Sequence, residues 1–186
     1  MAIDYTKISR HMSKLLRHDP GTLKMDKAGW VDSYELCSHL HIGIDTLEHL
    51  VETNDKKRFV FNEDKSMIRA AQGHSEGIAT EKDYIQLTAS QADFLLFHGT
   101  DDVIAELIKN DKILPGTRQY VHWSQNIETA KKRANQRAYH NKTTPVIISM
   151  NAKSYIHGGG KVLVAENEVY LTPAIDGKIL KYKSII

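Results

Sequence analysis

Phe97-His98-Gly99-Thr100 opens, and Arg118-Gln119-Tyr120-Val121-His122-Trp123-Ser124 closes, the stretch around which the chain is organised. Phe94-Leu95-Leu96-Phe97 and Tyr120-Val121 are β-prone runs bounded by turn signals, so both imidazoles are expected on strands of a rigid sheet. Gly99 leaves room for a ligand to approach the backbone closely. Thr100 is placed to cap a following helix, whose free N–H groups suit an anion. Between the two His residues, Val103, Ile104, Leu107 and Ile108 have helical spacing, and Leu114-Pro115-Gly116 makes a turn that delivers Arg118 to the start of the next strand. A cofactor carrying phosphates fits such a site. A His at a strand end is more often a hydrogen-bonded framework residue, so the functional reading depends on the rest of the chain.

The chain has 186 residues, enough for one large domain or two small ones. At 41% hydrophobic and 26% charged, its composition is that of an ordinary globular protein. No apolar run approaches the roughly 20 residues of a membrane span, and the N-terminus lacks a signal-peptide core, so a cytoplasmic location is expected. Cys37 is the only cysteine, which excludes an intrachain disulfide and leaves a thiolate zinc site without a second thiol. Net charge is +2, and Met1 to Ser75 holds 11 Lys/Arg against 11 Asp/Glu. Any basic surface for an anionic partner must therefore be local.

In the first half, Ile8, Met12, Leu15 and Leu16 mark an apolar helix face, and Pro20 ends that helix near His18. Arg17 and His18 thus fall at a helix C-terminus, where the dipole favours cations. Asp32-x-x-Glu35 and Asp45-x-x-Glu48 predict two further capped helices. Arg58-Phe59-Val60-Phe61 and Met67-Ile68-Arg69-Ala70, joined by the polar turn Asn62 to Ser66, predict a hairpin. Three helices followed by a hairpin is the order of a winged-helix domain, and Lys56-Lys57-Arg58 at the root of the wing suits a phosphate contact. A polar linker runs to about Asp83.

In the second half, a strand is expected over Tyr84 to Leu87. Ile127, Ala130 and Ala134 predict a helix from about Asn126, rich in Lys131, Lys132, Arg133 and Arg137. Strands are expected at Pro145 to Met150, at Lys161 to Val164 beyond a flexible Gly158-Gly159-Gly160, and at Val169 to Thr172. This half is mostly β, with one or two helices packed on the sheet.

Together these stretches resemble the RNA 2′-phosphotransferase family over nearly the whole chain. The resemblance is carried by Ser13-Lys14-Leu15-Leu16-Arg17-His18-Asp19-Pro20, Gly29-Trp30-Val31, Asp55-Lys56-Lys57-Arg58-Phe59, Gln72-Gly73-His74-Ser75, His98-Gly99-Thr100, Arg118-x-x-Val121-His122-x-Ser124 and Val169-Tyr170-Leu171-Thr172. It implies an α+β protein with an N-terminal winged-helix RNA-binding lobe over residues 1–82 and a C-terminal, β-rich ADP-ribosyltransferase-like lobe over 83–186. It implies a monomeric enzyme that removes an internal 2′-phosphate from RNA, as at a tRNA splice junction, with NAD as acceptor and without a metal. By resemblance Arg17, His18, Arg58 and Arg118 handle the phosphate, three from the first lobe and one from the second. His98 and His122 position the two NAD riboses, and Thr100, Ser124 and Tyr170 line the cofactor pockets beside Gly99.

The chain departs from the family pattern at Trp123 (usually Leu), Glu168 (usually Gly) and Ala71 (usually Asn). Glu168 bears most on shape, because Gly at that place supplies a backbone conformation a side chain resists. Two other readings remain at this point: an ADP-ribosyltransferase that modifies a nucleic-acid terminal phosphate, and a non-catalytic winged-helix nucleic-acid-binding protein.

Overall fold

The computed structural model describes residues 4–185. It is an α+β fold whose sheets are all antiparallel. Two compact units are present: one runs to Asp83 and includes Thr117–Gln119, and the other comprises Tyr84–Gly116 and Tyr120–Ile186.

The first unit begins with α1 (Tyr5–Arg17), capped by the Asp4 carboxylate on the Lys7 N–H. Met12, Leu15 and Leu16 bury its apolar face, and the helix ends with His18 as C-cap, as the pattern predicts. β1 (Val31–Asp32) leads into α2 (Ser33–Leu40), where Asp32 caps through the Glu35 N–H. The expected cap at Asp45 is corrected. α3 (Ile44–Glu52) starts from an extended Gly43 with no side-chain cap, because Ile44 already packs on the core and draws the helix start ahead of Asp45. β2 (Phe59–Phe61) and β3 (Met67–Ala70) form the expected hairpin, and β1 adds to β3 to give the order β1-β3-β2. Leu16, Leu36, Leu47 and Ile68 are fully buried at the centre of this unit, each worth about 1.5–3 kcal/mol of apolar burial. Cys37 is buried among them as a small hydrophobe.

In the second unit, β4 (Ile85–Gln86) is followed by β5 (Leu95–Asp101), α4 (Asp102–Asn110), β6 (Lys112–Ile113) and β7 (Val121–Trp123). Then come α5 (Ile127–Asn141), β8 (Pro145–Asn151), α6 (Ala152–His157), β9 (Leu163–Val164), β10 (Tyr170–Thr172), β11 (Ile175–Asp176) and β12 (Lys181–Ser184). β4-β9-β10-β7 form one sheet and β12-β8-β5 another, and Phe97 bridges Ser124 between them through N–H···O bonds of 2.8 and 2.9 Å. β11 pairs with β6.

α5 lies against β5 and β8 through Ala130, Ala134 and Ala138, which small side chains allow at short range. The contact is closest at Gly99. A Cβ there would overlap the Ala130 carbonyl oxygen and stand 2.8 Å from the Ala134 nitrogen. Gly99 therefore makes room for α5 on its Cβ side. The next helix cap also differs from expectation. Thr100 is a buried strand residue, and Asp101 caps α4 by accepting from the Ile104 N–H. The same carboxylate accepts from Arg137 Nε at 2.8 Å and Asn141 Nδ2 at 2.9 Å, which ties α5 to the end of β5. Burial raises the Asp101 pKa, but the bonds from Ile104, Asn141 and Arg137 outweigh it and hold the carboxyl below its ordinary range.

Gly158-Gly159-Gly160 is not a flexible link. It ends α6, each N–H is bonded to a carbonyl of Ser154, Ile156 or Tyr155, and a Cβ on Gly160 would overlap the Tyr155 ring. Glu168 keeps the left-handed conformation expected of the glycine it replaces, with φ +60°. It sits in a tight turn, its N–H on Ala165 O and the Ala165 N–H on Val169 O, both at 2.9 Å. A non-glycine residue there costs roughly 1–2 kcal/mol, partly offset by the larger unfolded-state entropy of glycine. Glu168→Gly is therefore expected to stabilise the protein by about 0.5–1 kcal/mol in urea unfolding. A drop in stability in this variant would contradict the strain argument.

Candidate active site

The phosphate-handling residues inferred from the sequence gather in the first unit around the loop that follows β3. Arg17 ends α1 and is buried, its carbonyl accepting the Ser75 N–H at 2.8 Å. His18 lies one residue on, exposed, with Nδ1 at 2.8 Å from Ser75 Oγ. Gly73, at φ +89°, passes over the Arg17 side chain: the position of an added Cβ lies 3.7 Å from Cδ, Nε and Cζ of Arg17. A side chain there would meet the guanidinium and hold a strained backbone.

Arg118 is placed differently from expectation. It does not start a strand of the second unit; it forms an isolated antiparallel bridge with Ser75 and belongs to the first unit. The neighbouring Gln119 secures it, its N–H donating to His74 O at 3.2 Å and its Nε2 to Ile78 O at 2.6 Å. Ser75 thus touches Arg17 through its N–H, His18 through its hydroxyl and Arg118 through its backbone. Arg58 is fixed just beside this loop: its N–H donates to Asn54 Oδ1 at 3.1 Å and its carbonyl accepts the Ala71 N–H at 2.8 Å.

Partial burial, then the guanidiniums of Arg17 and Arg118, lower the His18 pKa, so the ring is neutral at neutral pH. Such a group suits a dianion. Guanidiniums offer forked donors to phosphate oxygens, and an incoming dianion would draw a proton onto the imidazole.

One residue of this site was visible in the sequence only as part of a motif. His74 is 1% exposed, and neither ring nitrogen has a hydrogen-bond partner. Burial, and then the charges of Lys82, Arg17, Arg69 and His18, push its imidazole down to about 3. His74 is therefore an uncharged ring in a cationic neighbourhood, and protonating it would add one more positive group. Arg69 has a separate structural task, its guanidinium 4.2 Å above the Trp30 ring and its Nη1 donating to Ala28 O.

A pH dependence follows. His74 has a folded pKa far below its ordinary 6.5, so the unfolded chain takes up the proton first as pH falls. The stability that neutral His74 supplies is complete above pH 6.5 and is lost progressively from there towards pH 3. Between pH 7.5 and 5.5 this one group is expected to remove about 1.4 kcal/mol. His74→Gln, which cannot titrate, should show a pH dependence smaller by that amount in urea unfolding at the two pH values. An unchanged pH dependence would sink the assignment.

The residues inferred for the cofactor lie in the second unit. His98 Nδ1 stands 2.9 Å from the His122 carbonyl, which can only accept, so Nδ1 carries a hydrogen and donates it there. The His98 ring meets Trp123 edge to face at 5.7 Å. Trp123, in place of the smaller Leu, is buried and donates Nε1–H to Thr172 Oγ1 at 2.9 Å, so its polar atom is satisfied. Tyr170 pairs with Trp123 in register, and its hydroxyl donates to Gln125 at 3.1 Å.

Strand alternation puts His98, Trp123 and Tyr170 on one side and His122 with Ser124 on the other. The bond from the His98 ring to the His122 carbonyl joins the two sides. Thr100 is buried, and the Cβ side of Gly99 faces α5. Among the described residues, no three His, Cys, Asp or Glu side chains are grouped so as to hold a metal ion.

The chain matches the model of the family described as RNA 2′-phosphotransferase, Tpt1 / KptA family, over residues 4–174. It is 36% identical to a probable RNA 2′-phosphotransferase of Fusobacterium nucleatum, covering 95% of this chain and 97% of that one. A protein of the same description from Flavobacterium johnsoniae is 36% identical, over 95% and 96% of the two chains. Another from Burkholderia lata is 37% identical, over 97% and 92%. With its motifs in order along a match of this length, the chain belongs to the RNA 2′-phosphotransferase family.

Proposed function

We propose that the protein removes an internal 2′-phosphate from RNA, with NAD as the co-substrate that accepts it. The observation that carries this reading is the meeting of Arg17, His18 and Arg118 on Ser75, a cationic group suited to a phosphate dianion. The family and the names of its relatives supply the reaction class.

In the first step a phosphate oxygen on the RNA attacks C1″ of the NAD ribose, and the bond to nicotinamide breaks. In the second the ribose 2″-hydroxyl attacks phosphorus, the bond to the RNA 2′-oxygen breaks, and ADP-ribose 1″,2″-cyclic phosphate leaves. Arg17, Arg58 and Arg118 hold the phosphate oxygens through both steps, and His18 exchanges the proton. His98 and His122 meet the ribose hydroxyls, with Ser124 and Tyr170 beside the nicotinamide and adenylate parts. His98 fits this role because its ring is held in place by the bond from Nδ1 to the His122 carbonyl.

The order α1-β1-α2-α3-β2-β3, with sheet order β1-β3-β2, supports a winged-helix RNA-binding lobe in the first unit. The second unit is read as an ADP-ribosyltransferase-like NAD-binding lobe, with Arg118 as its contribution in sequence, though not in packing, to the phosphate group. The protein is read as a cytoplasmic monomer. Among the described residues no helix is long and apolar enough to cross a membrane.

The test is incubation with NAD and a short 2′-phosphorylated RNA. Loss of the 2′-phosphate together with released nicotinamide and the cyclic phosphate is expected. A stable ADP-ribosylated acceptor would favour a transferase that stops after the first step. Removal of the phosphate without NAD, or as inorganic phosphate, would overturn the co-substrate assignment.

A further inference from the structure

The basic helix of the second unit has a face that the phosphate and cofactor residues leave unused. Ala130, Ala134 and Ala138 turn inward, and Lys132, Arg133, Gln136, Tyr139 and His140 are exposed on the opposite side. Arg137 does not join them, being held by Asp101, and the acid of the first turn, Glu128, is paired with Lys131 at 2.6 Å. The face therefore carries positive charge with no free carboxylate of α5 to offset it.

Tyr139 is 84% exposed, so its ring contributes little to the core. Beside it, where α5 ends and the chain turns into β8, lies an open cavity of about 640 Å³ whose lining includes Asn135, Tyr139, Lys142 and Thr143. Thr143 Oγ1 is buried there without a hydrogen-bond partner. An exposed aromatic face, a lysine and an amide around this open depression offer what a single-stranded nucleotide uses: a stacking surface, a phosphate contact and a polar edge.

We propose that this cavity and the adjoining face of α5 bind a single-stranded flank of the RNA substrate, one nucleobase lying against Tyr139 and phosphates on Lys142 and Lys132. The inference rests on the reading that RNA is the substrate and adds a second binding region to it, away in sequence from the residues that handle the 2′-phosphate. Stacking on a ring accepts any base, so this region adds affinity for strand length without selecting sequence. The lysines add the salt dependence of phosphate binding.

Two measurements test it. The first is fluorescence anisotropy with a labelled single strand of about 12 nucleotides lacking any 2′-phosphate, within the roughly 4–16 nucleotides of known single-strand sites. Tyr139→Ala is expected to weaken binding about 5-fold or more, as removal of a base–aromatic stack does. Lys142→Glu is expected to flatten the slope of log affinity against log salt by about 0.7 for each phosphate the variant no longer neutralises. The second is turnover of 2′-phosphorylated RNA. Both variants should raise KM for the long strand while leaving kcat as in the parent protein.

Parent-like binding by both variants would overturn the proposal. So would equal competition by a blunt duplex, which offers phosphates but no free base. If the parent protein processes no 2′-phosphorylated RNA at all, the substrate reading fails, whereas the anisotropy measurement still decides the α5 site.

Discussion

Gly99→Ala is expected to cost the protein about 3 kcal/mol or more, lowering its melting temperature by roughly 10 °C. The added methyl would overlap the Ala130 carbonyl oxygen and crowd the Ala134 nitrogen. Both are helix backbone, which cannot turn aside as a side chain can. α5 must then move off β5, and that movement pulls on the Asp101 bonds to Arg137 and Asn141 and opens the alanine packing against Ile147. Gly43→Ala is the control, since a Cβ at Gly43 meets nothing within 4 Å and its φ is negative; it should change stability by less than about 1 kcal/mol. Chemical denaturation of the two variants decides the matter. If Gly99→Ala unfolds within about 1 kcal/mol of the parent, helix and strand are not pressed together as the structure has them. Because β5 also carries His98, a folded Gly99→Ala protein is expected, on the proposed reading, to bind NAD more weakly.

What was legible in the sequence depended on how local its cause was. α1 was legible because its apolar residues repeat at helical spacing and Pro20 ends it; the β2–β3 hairpin was legible because two β-prone runs flank a polar turn. α5 could be placed from Asn126 onward, since Asn126 is its N-cap. β1, β11 and α6 were not seen, being two, two and six residues long, too short to show a period. β12 is an edge strand, Lys181-Tyr182-Lys183-Ser184, whose lysines protect the edge but hide its β character.

The cap of α4 could not be chosen from the sequence, because Thr100 and Asp101 are both good caps and only the length of β5 decides between them. In the candidate site, the motifs pointed to Arg17, His18, Arg58 and Arg118. The unit that holds Arg118 depends on its bridge to Ser75 and on the Gln119 bonds to His74 and Ile78, across a sequence separation no local pattern reports. Likewise, Gln72-Gly73-His74-Ser75 was visible as a motif, but the burial of His74, whose ring lies close to Gly29, arises from tertiary packing, and its pKa from that burial and the cations around it.

Arg17→Ala, Arg58→Ala and Arg118→Ala are each expected to slow 2′-phosphate removal by at least about 10-fold, as removing a charge-assisted hydrogen bond worth more than about 1.4 kcal/mol requires. Arg10→Ala, on the exposed side of α1, should leave the rate unchanged; Arg69 is no control, because it supports Trp30 and Ala28. His18→Ala is expected to act differently from the arginines. The arginines meet charge already present on the phosphate, whereas the second step also builds charge on the RNA oxygen that leaves, and this calls for a proton. Of the four groups only His18 is an imidazole, and burial with the Arg17 and Arg118 charges lowers its pKa, which favours the neutral ring until a phosphate dianion offsets those charges. Removing it should therefore slow the second step more than the first. RNA carrying the 2′-phospho-ADP-ribose intermediate should then accumulate as a band of retarded mobility when His18→Ala meets NAD and 2′-phosphorylated RNA. Parent-like turnover in any two of the arginine variants, with folding intact, would end the idea of a shared phosphate group. A His18→Ala enzyme that is merely slow, with no retarded band at any time, would show that His18 serves binding or the first step instead.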